Sequence, residues 1–125
     1  MSAVSAPGGG GHVGILLRDG DALYFVPAEV ARKLAPMPAV TRVPGAPAEL
    51  LGIAQVDGAI LPIVSIGKST PRALVVCSHA GEDVGLAGVE IVGLGVNDPG
   101  NARSIDLSAI HARLQAGPWA GRWRG

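Results

Sequence analysis

Turn-forming residues divide this chain of 125 residues into short segments, because 19 glycines and 10 prolines are spread along it. The clearest turn is Asp57-Gly58, which separates the apolar segments 50–56 and 59–66. An Asp-Gly pair between two β-prone segments predicts a hairpin, since both residues tolerate positive φ. Many short strands joined by tight turns are typical of a small β-barrel or sandwich.

Other segments rich in β-branched and apolar residues predict further strands on both sides of this hairpin. The first of them form a hairpin that turns at Asp19-Gly20-Asp21, and glycines inside the segment 84–94 imply a bend or bulge. The predicted strands cover residues 13–18, 22–26, 40–43, 50–56, 59–66, 72–78, 84–94 and 105–107.

Two short helices complete the predicted secondary structure. Pro27 suits the first turn of a helix, so a helix is predicted over 28–34, with Val30 and Leu34 on its core face. Ser108 is the predicted cap of a C-terminal helix that runs to about residue 115. The predicted fold class is therefore all-β, with strands in the majority and short helices between them.

Charge and hydropathy exclude several classes of partner. The formal net charge is zero, whereas nucleic-acid-binding domains usually carry a basic excess. No apolar stretch approaches the roughly 20 residues of a membrane span, and the N-terminus lacks a basic-then-apolar signal pattern. We therefore expect a cytoplasmic protein with no nucleic-acid partner and no direct membrane insertion.

The ends of the chain differ in composition from its middle. We expect a flexible leader over 1–12, one folded domain over 13–117 and a flexible C-terminal tail over 118–125. Trp119 and Trp123 in the tail can anchor it either onto the body or onto a partner, since tryptophan is favoured at such contacts.

Residues capable of catalysis or metal binding are scattered. Cys77 lies in an apolar segment and is interpreted as a small buried hydrophobic residue, although His79 on the same strand face leaves a thiol–imidazole pair open. His12, His79 and His111 are far apart in the sequence and lack ligand spacing. The serines have no nucleophile-elbow context. We therefore expect no enzyme activity, no metal and no cofactor.

The segment 40–64 carries a more specific pattern, in which Val43-Pro44-Gly45-Ala46-Pro47 is followed by Gly52-Ile53-Ala54-Gln55-Val56-Asp57-Gly58 and then Leu61-Pro62-Ile63. This order resembles the signature of CheW-like domains, where a Val-Pro-x-x-Pro turn precedes Gly-hydrophobic-x-Asn-hydrophobic-Arg-Gly and a hydrophobic-Pro-hydrophobic strand. The resemblance extends from about Gly14 to Leu94, with a weaker echo over 104–114.

The resemblance implies two small β-barrel lobes side by side, the second of them reduced, because the segment between Leu94 and Ser104 is shorter than in the family. It also implies a non-catalytic adaptor of a bacterial chemosensory array. The implied partners are the cytoplasmic tip of a chemoreceptor, and a CheA-type histidine kinase or another CheW-like protein.

The sequence departs from the family pattern at Asp57, where the family usually has arginine. An acceptor-only anion replaces a cation with five hydrogen-bond donors, so a partner carboxylate would be repelled. We expect a shortened member, similar to the kind called FrzB in gliding-bacterial signalling. It would keep receptor docking, while its coupling to the histidine kinase would be weakened or lost.

The expected docking surface lies around the central hairpin, although side-chain alternation places some of its residues in the core. Two alternatives stay open: a CheW-like interaction module outside chemotaxis, and an unrelated small β-barrel that binds a ligand or acts as an enzyme. An apolar pocket with convergent polar groups would favour the second. The predicted partner-binding residues are Val43, Ile53, Gln55, Val56, Asp57 and Ile63.

Overall fold

A computed structural model describes residues 12–69, 72–97 and 102–115, which form nine strands and one helix. The predicted leader over 1–12, apart from His12, and the predicted tail over 118–125 lie outside these residues. The elements are β1 (His12–Asp19), β2 (Ala22–Pro27), β3 (Ala31–Pro36), β4 (Leu50–Val56), β5 (Ala59–Ser65), β6 (Ala73–His79), β7 (Glu82–Ala87), β8 (Glu90–Asn97), β9 (Arg103–Ser104) and α1 (Leu107–Gln115). The prediction of a mainly-β fold is confirmed.

Four strands, in the order β8-β1-β2-β9, form what we call the terminal sheet. The predicted first hairpin is present, since β1 and β2 pair antiparallel and place Ile15 opposite Val26. On its other side β1 pairs with β8, and the register shifts between Leu16 and Leu17. Val92 is the extra residue of β8 at this shift, so the glycine-rich segment does contain a β-bulge.

Five strands, in the order β3-β6-β7-β5-β4, form what we call the central sheet. Its β4–β5 hairpin turns at Asp57 (φ 51°) and Gly58 (φ 84°), as the sequence predicts. Although β3 and β4 stand at opposite edges of this order, Lys33 on β3 forms an ion pair with Asp57. The sheet therefore curls until its two edges approach. Its interior holds Ala54, Leu61, Ile63, Leu74, Val76 and Ala87.

A second core joins the terminal sheet, the central sheet and the helix. Leu17 and Val26 of the terminal sheet pack in one cluster with Val75 and Leu86 of the central sheet. Leu114 of α1 belongs to the same cluster. The two lobes that the sequence resemblance implied are therefore present, and they share one apolar core. The terminal sheet is the smaller, with four strands against five.

The predicted helix over 28–34 is wrong. Pro27 ends β2, the Val30 N–H donates to the Pro27 carbonyl at 3.1 Å to close a turn, and β3 follows. Val30 packs against the core as predicted, but Leu34 is 48% exposed. The reason is that β3 pairs with the buried strand β6, and tertiary pairing outweighs local helix propensity.

Three boundaries near the C-terminus also differ from the prediction. The predicted strand 84–94 is two strands, β7 and β8, because the chain bends at Gly88 with φ 80°. The last strand is β9 and not residues 105–107. The cap of α1 is Asp106 and not Ser108, since the Asp106 Oδ1 atom accepts the Ala109 N–H at 3.0 Å.

Candidate protein-interaction surface

A shallow groove lies on the outer side of the β4–β5 hairpin. The chain before Val43 runs beside β4, where Thr41 and Ile53 exchange two backbone N–H···O bonds of 2.8 Å. Gln55 and Ile60 stand directly opposite each other on the two strands, and Ile60 is 53% exposed. We call this the hairpin groove; it is lined by Pro38, Ala39, Thr41, Ile53, Ala54, Gln55 and Ile60.

Gly52 allows the chain to lie this close to β4. Its φ is +150°, and a Cβ atom there would stand 2.1 Å from the Thr41 carbonyl oxygen. A side chain at this position would therefore push Thr41 away and break its bridge to Ile53. The shape of the hairpin groove depends on a residue without a side chain.

The structure places five of the six predicted partner-binding residues on or near this surface. Ile53 and Gln55 line the hairpin groove together. Val43 and Val56 are half-buried, and each packs against one of the two cores. Ile53 is half-buried as well and packs against the same core as Val43.

Asp57 is exposed at the tip of the hairpin, beside the groove. Its carboxylate forms an ion pair with Lys33. With φ of 51° it occupies the left-handed region, which aspartate tolerates better than most residues. The sequence predicted its exposure and its turn, whereas the contact with Lys33 could not be foreseen because β3 was predicted to be helical.

The prediction of Ile63 as a contact residue is wrong, and Ile60 is a surface residue that the prediction missed. Ile63 is fully buried inside the central sheet, so no partner can reach it. Ile60 stands on the face that carries Gln55, because directly paired residues of antiparallel strands share a face. A two-residue turn at Asp57-Gly58 pairs Gln55 with Ile60, so the sequence alone could have placed Ile60 on the face of Gln55.

A second cavity, of about 340 Å³, lies between α1 and the start of β4. Apolar side chains such as Leu50, Val64 and Ile110 line most of it. Its two charged side chains, Glu49 and Arg113, form an ion pair with each other. The two side chains compensate each other's charge. The cavity therefore lacks the free convergent polar groups that would favour a ligand-binding or catalytic site.

Cys77 is a buried hydrophobic residue, as its sequence context predicts. It is 0% exposed, and burial, with a smaller effect of the Asp83 charge, raises the pKa of the thiol to about 12. Its Sγ donates to the Val75 carbonyl at 3.9 Å. A thiol that stays protonated is not a nucleophile at neutral pH.

His79 and His111 come together in space, although the sequence separates them. Their ring centroids are 5.3 Å apart in an edge-to-face arrangement, and His79 Nε2 lies 3.4 Å from the Ser108 hydroxyl. Their distance in the sequence therefore gave no sign of this contact. Across the described ranges, no group of three or more His, Cys, Asp or Glu residues is arranged to hold a metal ion.

The described part of the chain contains no helix that is long and apolar enough to cross a membrane. Two β-lobes around a shared core, with an exposed groove along the β4–β5 hairpin, define a small two-lobed, β-rich domain. Residues 14–117 match the family model of the CheW-like domain. The chain belongs to the CheW-like domain family.

Among solved structures, the fold is similar to that of the scaffolding protein TtCheW from Thermoanaerobacter tengcongensis. The TM-score is 0.62 at 17% sequence identity, and the match covers 71% of this chain and 67% of that chain. At this identity the likeness concerns the fold. No curated protein matches the sequence.

Proposed function

We propose that this protein is a non-catalytic adaptor of a bacterial chemosensory array, acting in the cytoplasm, and that the hairpin groove docks the helical tip of a chemoreceptor. The observation that carries the proposal is the exposed Ile60 beside Ile53 and Gln55 on a hairpin. An apolar groove of this kind suits one face of an amphipathic helix. Membership of the CheW-like domain family supports the same assignment.

Coupling to a CheA-type histidine kinase is weakened or lost in this proposal. The tip of the hairpin presents the Asp57 carboxylate, already engaged by Lys33 on its own chain. A carboxylate accepts hydrogen bonds and donates none, so it cannot replace an arginine that meets an acidic partner. Repulsion between like charges would then reduce affinity for the kinase.

Receptor docking is tested by calorimetry with the purified chain and the signalling hairpin of a chemoreceptor from the same organism. We expect Ile60→Glu to weaken binding by at least about tenfold, because it places a charge in the apolar groove. Leu34→Glu is the matched control, since Leu34 is similarly exposed but lies on β3 outside the groove. Absence of binding by the unchanged protein, or equal losses in both variants, contradicts docking at this groove.

The kinase part of the proposal is tested separately by titrating the regulatory domain of a CheA-type kinase. We expect weak binding by the unchanged protein and stronger binding by Asp57→Arg, with Asp57→Asn between them. Asparagine removes the charge and still tolerates the left-handed backbone at this turn. Tight binding of the unchanged protein would contradict weakened coupling without affecting the receptor result. Binding of neither partner would favour an interaction module outside chemotaxis.

A further inference from the structure

β8 forms an outer edge of the terminal sheet. It pairs with β1 on one side, and it stands at the end of the strand order β8-β1-β2-β9. Within the described residues no strand pairs with its other side. A strand in this position offers a row of backbone N–H and C=O groups to another strand.

The side chains along this edge are apolar and exposed. Residues 91–96 carry no charge, and Leu94 is 79% exposed. Val92 and Val96 are also exposed, and Val13 stands directly opposite Val96 on β1. We call these four residues the β8 strip. Contiguous exposed apolar residues beside a free edge mark a surface for association.

The other described sheet edges are protected. β3 carries Arg32, Lys33 and Pro36, which are residues that discourage strand addition. β4 is partly covered by the bridge at Thr41, and β9 has two residues. Of the described edges, β8 is long and apolar, and it has none of these protective features.

We propose that β8 pairs antiparallel with β8 of a second copy of this chain, giving a twofold dimer. The two four-stranded terminal sheets would then join into one continuous sheet. Such an isologous contact uses the same strand in both copies and closes after two of them. It therefore covers both free edges without leading to an open fibre.

Charge favours a second copy as the occupant. Antiparallel pairing brings two uncharged 91–96 segments together and keeps the two Glu90 side chains at opposite ends. Each Glu90 is already compensated by Arg18 of its own chain at 2.9 Å. The chain has no net charge, so long-range repulsion between copies is small.

Side-chain alternation limits the register of the pair. Leu94 stands opposite Ile15 and Val96 opposite Val13, so Leu94 and Val96 share one face of the sheet. A slip by one residue would move a partner's side chains to the other face. The register therefore places Leu94 opposite a residue of the same face, such as Leu94 or Val96, of the second copy.

Sedimentation of the full chain over a range of concentrations tests this proposal. We expect a reversible dimer, with a dissociation constant raised at least about tenfold by Leu94→Lys. Leu34→Lys is the matched control and should change it less than about twofold. Hydrogen exchange provides a second readout, because β8 amides should lose protection in Leu94→Lys while β6 amides keep theirs.

A monomer at every concentration overturns the proposal, as does equal weakening by Leu34→Lys, which would place the contact elsewhere. Protection of β8 only when a receptor or kinase fragment is added would assign the edge to that partner instead. Circular dichroism shows whether the exposed substitution leaves the fold intact. The dimer does not depend on receptor docking, so Leu94→Lys should bind the receptor hairpin like the unchanged protein.

Discussion

Cys77 belongs to the apolar core that joins both sheets and the helix. Burial raises its pKa from 9.0 to about 12. An unfolded chain loses this proton above pH 9, whereas the folded chain keeps it to about pH 12. The native state therefore binds more protons in this interval, and stability falls as pH rises through it.

We expect this effect in the difference between the unchanged protein and Cys77→Val, which is similar in size and has no proton to lose. From pH 9 to pH 10 the unchanged protein should lose about 1 kcal/mol of unfolding free energy relative to the variant. Between pH 7 and pH 8 the difference should be nearly constant. Urea unfolding at these pH values measures it, and a constant difference up to pH 10 would contradict the burial of the thiol.

Single residues were predictable from the sequence where the local pattern decides their environment. The apolar segment around Cys77 was enough to predict its burial, and Asp57 was predicted at an exposed turn. Ile63 was misplaced because both faces of β5 meet apolar neighbours over part of its length, and four consecutive residues from Leu61 are buried. Simple alternation cannot tell an inner from an outer position in such a strand.

At the scale of elements, the close approach of the chain around Thr41 to β4 depends on Gly52. Gly52→Ala places a Cβ 2.1 Å from the Thr41 carbonyl oxygen and adds backbone strain at φ +150°. Gly58 in the hairpin turn also has positive φ, but nothing lies within 4 Å of its Cβ position. Alanine at Gly58 therefore tests the backbone conformation alone, whereas alanine at Gly52 tests the conformation together with a steric clash.

We expect Gly58→Ala to cost about 1 kcal/mol of unfolding free energy, because the left-handed conformation is its main penalty. Gly52→Ala should cost at least about 2 kcal/mol, since the bridge to Ile53 must also break. Thermal or urea unfolding of both variants gives these values. Equal costs would show that the contact at Thr41 contributes little. Gly52→Ala should also lower the affinity for the receptor, because it changes the shape of the hairpin groove.

Hairpins were the elements that the sequence predicted best. The turn at Asp57-Gly58 is local, so its residues alone determine it. β3 was mistaken for a helix because its strand character comes from pairing with β6, which begins 42 residues after the first residue of β3. Local propensity carries no information about such a distant partner.

For the molecule as a whole, the two lobes followed from the family resemblance, but the position of the helix in their common core did not. α1 contributes Leu107 and Leu114 to that core, beside residues of both sheets. Contacts between the helix and two sheets depend on the final packing, which no sequence pattern in the chain indicates. The candidate groove was predictable to the same degree, since its hairpin and the extended segment 40–43 were evident and the bridge from Thr41 to Ile53 was not.

Because one core joins both sheets and the helix, we expect the chain to unfold in a single cooperative step. Leu114→Ala should lower the unfolding free energy by about 2–4 kcal/mol, as is usual for a buried leucine. It should shift the whole transition and leave it undivided. Leu34→Ala makes the same chemical change at a half-exposed site and should cost about 1 kcal/mol or less. Calorimetry and circular dichroism should give coincident curves for both variants, and a Leu114→Ala transition that splits in two would mean that each lobe is stable without the core they share.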